Sequence, residues 1–293
     1  MARTMGDADI SRLVPEGTPL LFYLRPTNAA FRDVAARYTK YVIPSLSIAY
    51  LGFDLHEGAR DTKSPFRDVR VRRAVARALD LETIRRRAGA GFVPTQLVPP
   101  MVFGHAPELR PEAPDVAGAR ALLTEAGFPG GFEVRLDSRE MMADLAVPIA
   151  EELSRMGIRV QRNPLPDRAF FELLGSGGSA LYLLRFSCRY GDSQELLDHW
   201  VHSRNEPAGL GTANYSYSEC PVPGLDEEIE RARRELHMGA RQERLQGIHR
   251  ILARELLAVP VHQYQDTAFG SPEVRWTPRF DTYRDLSTIH LVR

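Results

Sequence analysis

Two histidines with an acidic neighbour are spaced as a metal site would require. His199 and His202 lie three residues apart, and Asp198 precedes the first of them. Two histidines on one side of a helix can bind zinc. The apolar neighbours Trp200 and Val201 instead indicate a helix packed against the interior, and the sequence offers no third ligand at a suitable spacing. We therefore interpret both as structural histidines and predict no metal site and no cofactor.

Motifs for covalent catalysis and nucleotide binding are missing from the sequence. The glycine-rich run GSGGS at 175–179 lacks the lysine and the serine or threonine of a phosphate-binding loop, so we interpret it as a turn. Gly-x-Ser-x-Gly, His-Glu-x-x-His and the Rossmann glycine triplet do not occur. The sequence therefore predicts a protein that is not an enzyme.

The charge balance argues against a nucleic-acid partner. Lysine plus arginine number 38 and aspartate plus glutamate also number 38, so no net field attracts a polyanion or an anionic membrane. The helical stretch that begins at Asp68 does carry a run of arginines: Arg70, Arg72, Arg73 and Arg77. Because acidic residues are nearby and the net charge is zero, we interpret this run as a solvated helix face.

Cysteine content and hydropathy narrow the class of protein further. Cys188 and Cys220 are too few for a disulfide scaffold, and they could pair or stay free. No window of about 18 apolar residues occurs, and the first residues are acidic where a secretory signal has an apolar core. From the chain as written we expect a soluble protein without an export signal.

Helices and strands alternate along the chain, as in α/β proteins. Five prolines between 97 and 114 predict an ordered extended loop. A helix of about three turns follows, because Asp115 fits an N-cap and Gly127 a left-handed stop. Apolar periodicity predicts further helices at 68–87, 143–156, 225–238 and 241–257, and strands at 46–55, 132–136, 158–161 and 180–186.

The order of these segments resembles the family 5 extracellular solute-binding proteins, the dipeptide, oligopeptide and nickel receptors of ABC importers. The most similar stretch is SPFRDVRVRRAVARALDLETI at 64–84, which is followed by PPMVFGHAPEL and ARALLTEAGFPGGFEV. The remaining matches, in order around these, are GDADI at 6–10, AYLGFDL at 49–55, NYSYSECPVPGLDEEIERAR at 214–233 and VPVHQYQ at 259–265. They extend over nearly the whole chain.

The resemblance implies a fold like that of type II periplasmic binding proteins, in which two lobes joined by a hinge enclose a solute. It implies that residues 46–257 form one nearly complete mixed α/β lobe, the solute-binding lobe. Residues 1–45 would be a remnant of the other lobe, and residues 258–293 would return to it through the hinge. By this resemblance the chain looks like a truncated form of a longer protein.

The resemblance also implies partners and a location. It implies a small-molecule or peptide ligand and an ABC permease, with no nucleic acid and with membrane contact only through the permease. The location would be periplasmic or at the cell surface, or cytoplasmic if the chain is the full product. A second possibility is the ligand-sensing domain of a cytoplasmic transcriptional regulator, since some regulators resemble this family.

Solute contacts are implied for one short segment after the strand at 180–186. The family usually has tryptophan, two residues, then aspartate and tyrosine, and the aspartate binds a peptide's amino terminus. Phe186, Cys188, Arg189 and Tyr190 occupy this segment, with Arg189 at the aspartate position. Arginine there would repel a free amine and favour a carboxylate, a phosphonate or a sugar acid. Alternatively, Arg189 pairs with Asp192 or Glu195 and points away from the solute.

Two further candidates lie outside that segment. Arg139 follows the strand at 132–136, where some peptide receptors place a group that binds the carboxyl end of the ligand, although a solvated loop residue is an alternative. Tyr215 and Tyr217 lie in the loop after Asn214 and are candidates for the border of the cleft, and packing in the core or in a turn would explain them as well.

Overall fold

The computed structural model describes residues 21–23, 38–56, 64–280 and 286–292. The chain divides into two compact units, one formed by Met1–Ser45 with Gln265–Arg293 and the other by Leu46–Tyr264. The GDADI segment at 6–10 lies outside the described residues. Two long strands pass through the boundaries between the units, so the chain enters and leaves the larger unit in extended conformation.

The larger unit is built on a mixed sheet. The strands in chain order are β1 Leu21–Tyr23, β2 Thr39–Phe53, β3 Glu133–Arg139, β4 Arg159–Leu165, β5 Leu181–Ser187, β6 Ala258–Gly270, β7 Val274–Trp276 and β8 Ile289–Leu291. Five of these strands form the sheet of the larger unit, in the order β6-β2-β5-β3-β4. β3 runs parallel to β4 and β5, whereas β2 runs antiparallel to β5. The predicted α/β class is confirmed.

Helices cover the sheet and bury one large apolar core. They are α1 Val69–Ala78, α2 Leu81–Ala88, α3 Val116–Glu125, α4 Ala143–Arg155, α5 Asp167–Gly175, α6 Gln194–Leu196, α7 Leu225–Arg234 and α8 Met238–Glu255. The core includes Phe53 and Phe66, whose rings stack 5.0 Å apart. The helix predicted over 68–87 is two helices, because Asp80 lies in an extended conformation and caps α2 by accepting from the Thr83 backbone amide at 3.0 Å.

The proline-rich loop at 97–114 and the helix α3 that follows it form as predicted. No helix or strand occurs between residues 97 and 114 in this described stretch. Asp115 caps α3 by accepting from the Gly118 amide at 2.8 Å. Gly127 follows the end of α3 with a φ of 92°, a left-handed value that glycine adopts without strain.

The interpretation of a solvated helix face is wrong for Arg72, which is buried, while Arg70 is exposed and Arg73 and Arg77 are partly exposed. Arg72 is 5% exposed, and its guanidinium donates to the Phe66 carbonyl at 2.8 Å and to the Glu255 carbonyl at 2.7 Å. Arg73 donates to the Arg254 carbonyl at 2.9 Å. The bonds to Glu255 and Arg254 satisfy carbonyls at the carboxyl end of α8, which lack partners within the helix.

The smaller unit has its own apolar cluster. It contains Ile43, Ala268, Val274 and Trp276, and the hydroxyl of Tyr41 donates to the Val274 carbonyl at 3.0 Å. β7 and β8 pair antiparallel beside this cluster. Among the described helices, none is both long and apolar enough to cross a membrane.

Candidate functional site

Two arginine–aromatic pairs lie at the carboxyl ends of the parallel strands β3 and β5. The guanidinium carbon of Arg185, near the end of β5, lies 5.5 Å from the centre of the Tyr264 ring on β6. The guanidinium carbon of Arg139, the last residue of β3, lies 5.7 Å from the centre of the Phe171 ring on α5. These distances fit cation–π contacts. The carboxyl ends of parallel strands lie at the same end of a sheet, so both cations are placed there.

Tyr264 connects the two pairs electrostatically. Burial raises the pKa of its phenol, while the positive charges of Arg185 and Arg139 act to lower it. Both guanidiniums are therefore close enough to Tyr264 to act on it, although only Arg185 contacts its ring. We name Arg139, Phe171, Arg185, Tyr215 and Tyr264 the arginine–aromatic surface.

The two arginines differ in how much of their charge is already used. Arg139 donates twice to the Asp167 carboxylate, with Nε 2.7 Å from Oδ1. This hydrogen bonding raises the pKa of Arg139 and lowers that of Asp167. Arg185 is exposed and, among the residues the structure describes, has neither an ion pair nor a hydrogen bond. Its guanidinium is therefore available to bind an anion.

Aromatic rings extend the surface away from Arg139. The rings of Phe171 and Tyr215 lie 6.2 Å apart, and Tyr215 lies a further 6.2 Å from Trp200. Tyr215 is half-buried, and this burial raises the pKa of its phenol. The side chain of Asn214 holds the loop around Tyr215, because its Oδ1 accepts a hydrogen bond from the Ser216 amide at 3.0 Å. A ligand with an apolar body beside its charge would find rings to pack against.

Phe186 and Cys188 are buried, which differs from the expectation that they contact a solute. Phe186 is 5% exposed and packs edge to face against Trp200 at 5.4 Å. Because successive strand side chains point to opposite faces, Phe186 is buried where its neighbour Arg185 is exposed. The Cys188 thiol donates to the Asp192 carbonyl at 3.0 Å, and burial raises its pKa to about 12. Both residues can pack beneath the arginine–aromatic surface, but their own side chains are almost inaccessible to a solute.

Arg189 and Tyr190 lie in the exposed turn after β5. Tyr190 is 81% exposed, and Arg189 has no ion pair within the described part of the chain. The alternative pairing of Arg189 with Asp192 or Glu195 does not occur, because Arg241 donates to both carboxylate oxygens of Asp192, at 2.5 and 3.1 Å. Glu195 accepts instead from the backbone amide of Tyr190 at 3.3 Å. Arg189 is thus a second cation without a partner, close in sequence to Arg185.

The remaining candidates have structural partners. Tyr217 is buried, and its hydroxyl donates to the Val201 carbonyl at 2.5 Å, so it is a core residue. His199 contacts the Thr212 hydroxyl at 3.0 Å, and the Nδ1 of His202 donates to the Ser203 carbonyl at 2.8 Å. Cys188 and Cys220 are free thiols.

Sequence reasoning missed Arg185, Phe171 and Tyr264. Arg185 could have been found, because it is the one charged residue in the apolar strand ALYLLRF and a charge is rarely buried. Phe171 and Tyr264 carry no comparable signal, since aromatic residues on a helix and a strand are usually core. Only the fold shows that both rings lie under arginines.

Comparisons with known proteins agree with this architecture. Residues 5–208 match the model of the bacterial extracellular solute-binding proteins, family 5 Middle. The probable deoxycholate-binding periplasmic protein YgiS of Escherichia coli K12 is 28% identical over 179 residues, which cover 57% of this chain and 32% of YgiS. The fold of the present chain is similar to that of HbpA2 from Haemophilus parasuis, with a TM-score of 0.77 and 20% identity over 92% of this chain and 53% of HbpA2.

A second solved structure has a bound peptide. The periplasmic binding protein DppA from Helicobacter pylori, in complex with the peptide STSA, superposes with a TM-score of 0.74 and 16% identity, over 93% of this chain and 52% of DppA. The chain thus spans about a third of the curated relative and about half of each solved one. The fold is that of the type II periplasmic binding proteins, and the chain belongs to the family 5 bacterial extracellular solute-binding proteins.

Proposed function

We propose that this chain is a substrate-binding component of an ABC-type importer and captures a small solute that carries a carboxylate and an apolar part. The observation that carries the proposal is Arg185, an exposed guanidinium on the Tyr264 ring without an anionic partner among the described residues. Planar guanidinium groups bind carboxylates through two parallel hydrogen bonds. The rings of Phe171, which lies beside Arg139, and of Tyr215 would contact the apolar part.

The charges of the arginine–aromatic surface and of the turn after β5 argue for an acid and against a free amine. Arg185 and Arg189 lack acidic partners in the described residues, while the carboxylate of Asp167 is bound by Arg139. A protonated amine would meet repulsion from both cations, and a carboxylate would meet attraction. The relative named for deoxycholate, a carboxylic acid with an apolar body, supports this class of solute.

The domain assignment belongs to the same proposal. We assign residues 46–257 to the solute-binding lobe, because four of the five residues of the arginine–aromatic surface lie within that range. The fifth, Tyr264, follows it on β6. Residues 1–45 and 258–293 connect this lobe to the other one, and the first residues of β6, up to Tyr264, still belong to the larger unit. The protein acts by binding and delivery to a permease, without covalent chemistry. Its location is periplasmic, as the names of YgiS and DppA state for those proteins, or at the cell surface.

Tryptophan fluorescence tests this function directly. The chain has two tryptophans, so Trp276→Phe leaves Trp200, 6.2 Å from the Tyr215 ring, as the single reporter. We would titrate this variant with deoxycholate and with three forms of one dipeptide, namely the free, the N-acetylated and the N-acetylated C-terminal amide forms. We expect deoxycholate and the N-acetylated dipeptide to change the emission, the free dipeptide to bind more weakly and the amide weakest of all. Equal binding of the acid and the amide would refute the proposal.

A further inference from the structure

A cavity distinct from the arginine–aromatic surface lies within the larger unit. It has a volume of about 120 Å³ and is bounded by α1, α2, α8 and the first residues of β6. Its apolar wall includes Ala76, Leu81, Leu97, Leu252, Leu256 and Val259. None of the five residues of the arginine–aromatic surface lines it. A cavity of roughly 150 Å³ with such walls admits benzene, and this one is only somewhat smaller and is bounded on one side by partly exposed residues, so its size matches a single six-membered ring.

One buried polar side chain in this wall lacks a partner. His249 on α8 is 1% exposed, and neither of its ring nitrogens has a hydrogen bond within the described residues. Burial lowers the pKa of His249 to about 3, with a smaller contribution from the nearby His105, so the ring is neutral at physiological pH. A neutral imidazole has one N–H donor and one acceptor nitrogen, and leaving both unbonded is unfavourable.

The other polar groups around the cavity are already bonded. The Gln96 amide donates to the Ala106 carbonyl at 2.8 Å and accepts from the Ala106 amide at 3.1 Å. Glu112 accepts from Arg77 at 3.0 Å. Arg110 is exposed and donates to the carbonyls of Pro107 and Leu109. Among these lining groups His249 is therefore the one with unused hydrogen-bonding capacity.

We propose that this cavity is a second binding site, for a small neutral molecule with a six-membered apolar ring and one hydroxyl group. The ring fills the apolar volume. A hydroxyl can either donate to the free nitrogen of His249 or accept from its N–H, so it satisfies whichever nitrogen faces the ligand. A cation finds no free carboxylate here because Glu112 is already bound by Arg77, and an anion in the apolar volume would lie beside the neutral His249, away from the exposed Arg110. The site does not depend on the solute bound by the arginine–aromatic surface.

Phenol and benzene form the matched pair of probes. We would measure their Kd values for the full chain by calorimetry and follow the ring nitrogens of His249 by ¹H–¹⁵N correlation spectroscopy. Phenol is expected to shift the His249 nitrogen signals and to bind about tenfold more tightly than benzene, the value of one buried hydrogen bond. Equal affinity for both, or binding without a shift at His249, would overturn the proposal, as would no binding of either.

Two variants locate the site. His249→Phe should bring phenol to the affinity of benzene, and Ala253→Leu, which fills the cavity from its partly exposed wall, should abolish binding of both. Ala253→Leu keeps the histidine, so it tests the site even if His249→Phe does not fold. Phenol binding that survives Ala253→Leu would place phenol elsewhere on the protein and refute the assignment.

Discussion

The guanidinium of Arg185 lies over the ring of Tyr264, 5.5 Å from its centre, and no acidic residue in the described chain neutralises it. A cation held by an aromatic face keeps its hydrogen-bond donors free, because the contact uses the face of the guanidinium rather than its edge. Arg139, by contrast, contacts the Phe171 ring and is also bound by Asp167. The pair Arg185–Tyr264 is therefore the part of the surface best suited to bind a carboxylate.

Arg189 is expected to exclude free amines. The variant Arg189→Asp places a carboxylate where the chain has an exposed arginine without an ion pair in its described part. We expect the preference for an N-acetylated dipeptide over the free dipeptide to fall by about tenfold, because the sign of the nearest charge is reversed in a partly solvated position. Calorimetry with both dipeptides measures this ratio. An unchanged ratio would remove Arg189 from the site.

Arg72 should matter for stability although its type and position suggest a surface residue. Arg72→Met leaves the carbonyls of Phe66 and Glu255 without their donor, and burial already lowers the pKa of this arginine. We expect the free energy of unfolding to fall by about 3 kcal/mol, as for loss of hydrogen bonds to a buried charged group. Urea denaturation measures it.

Arg70→Met is the control for Arg72→Met. Arg70 lies on the same helix and pairs with Asp68 in an exposed position. We expect its loss to change the free energy of unfolding by less than about 1 kcal/mol. Similar losses for the two variants would show that Arg72 does not hold the end of α8.

His249 should make the protein sensitive to acid. Its pKa is lowered to about 3 in the folded state, from the usual value of about 6.5 in an unfolded chain. The folded state therefore binds fewer protons between these values, so the stability contribution is present above pH 6.5 and is lost as the pH falls toward 3. We expect the free energy of unfolding of His249→Phe to fall less over this interval than that of the unchanged chain.

The control for this pH dependence is His199→Gln. His199 is exposed and contacts Thr212. Its removal should leave the slope of stability against pH between 6 and 4 nearly unchanged. If His249→Phe and His199→Gln had the same slope, the acid sensitivity would not arise from His249.

Much of the fold could be predicted from local sequence. Asp115 and Gly127 mark the ends of α3 because a cap and a left-handed glycine act within one turn of chain. The break between α1 and α2 was missed, since Asp80 lies inside a continuous apolar period and its capping role depends on backbone geometry. The buried Arg72 was missed because its partners are carbonyls from distant parts of the chain.

The candidate site was less predictable than the fold. Arg139 and Tyr215 were chosen from a family pattern, and both lie in the arginine–aromatic surface. Phe186 and Cys188 came from the same pattern but are buried, because Phe186 packs against Trp200 and the Cys188 thiol donates to the Asp192 carbonyl. Arg185 lies between an apolar run and Phe186, and its lack of an acidic partner among the described residues depends on tertiary structure that a local sequence pattern does not give.

The most direct test of the central claim is the effect of Arg185→Met on carboxylate binding. Methionine keeps an apolar side chain over Tyr264 but removes the donors, so the Kd for deoxycholate and for the N-acetylated dipeptide should rise by about tenfold to a hundredfold, as expected for loss of a charged hydrogen bond. The matched control is Arg168→Met, since Arg168 is an exposed arginine on α5 that pairs with Glu172. We predict that this control binds both acids as the unchanged chain does. Equal affinities of Arg185→Met and Arg168→Met for both acids would contradict the account.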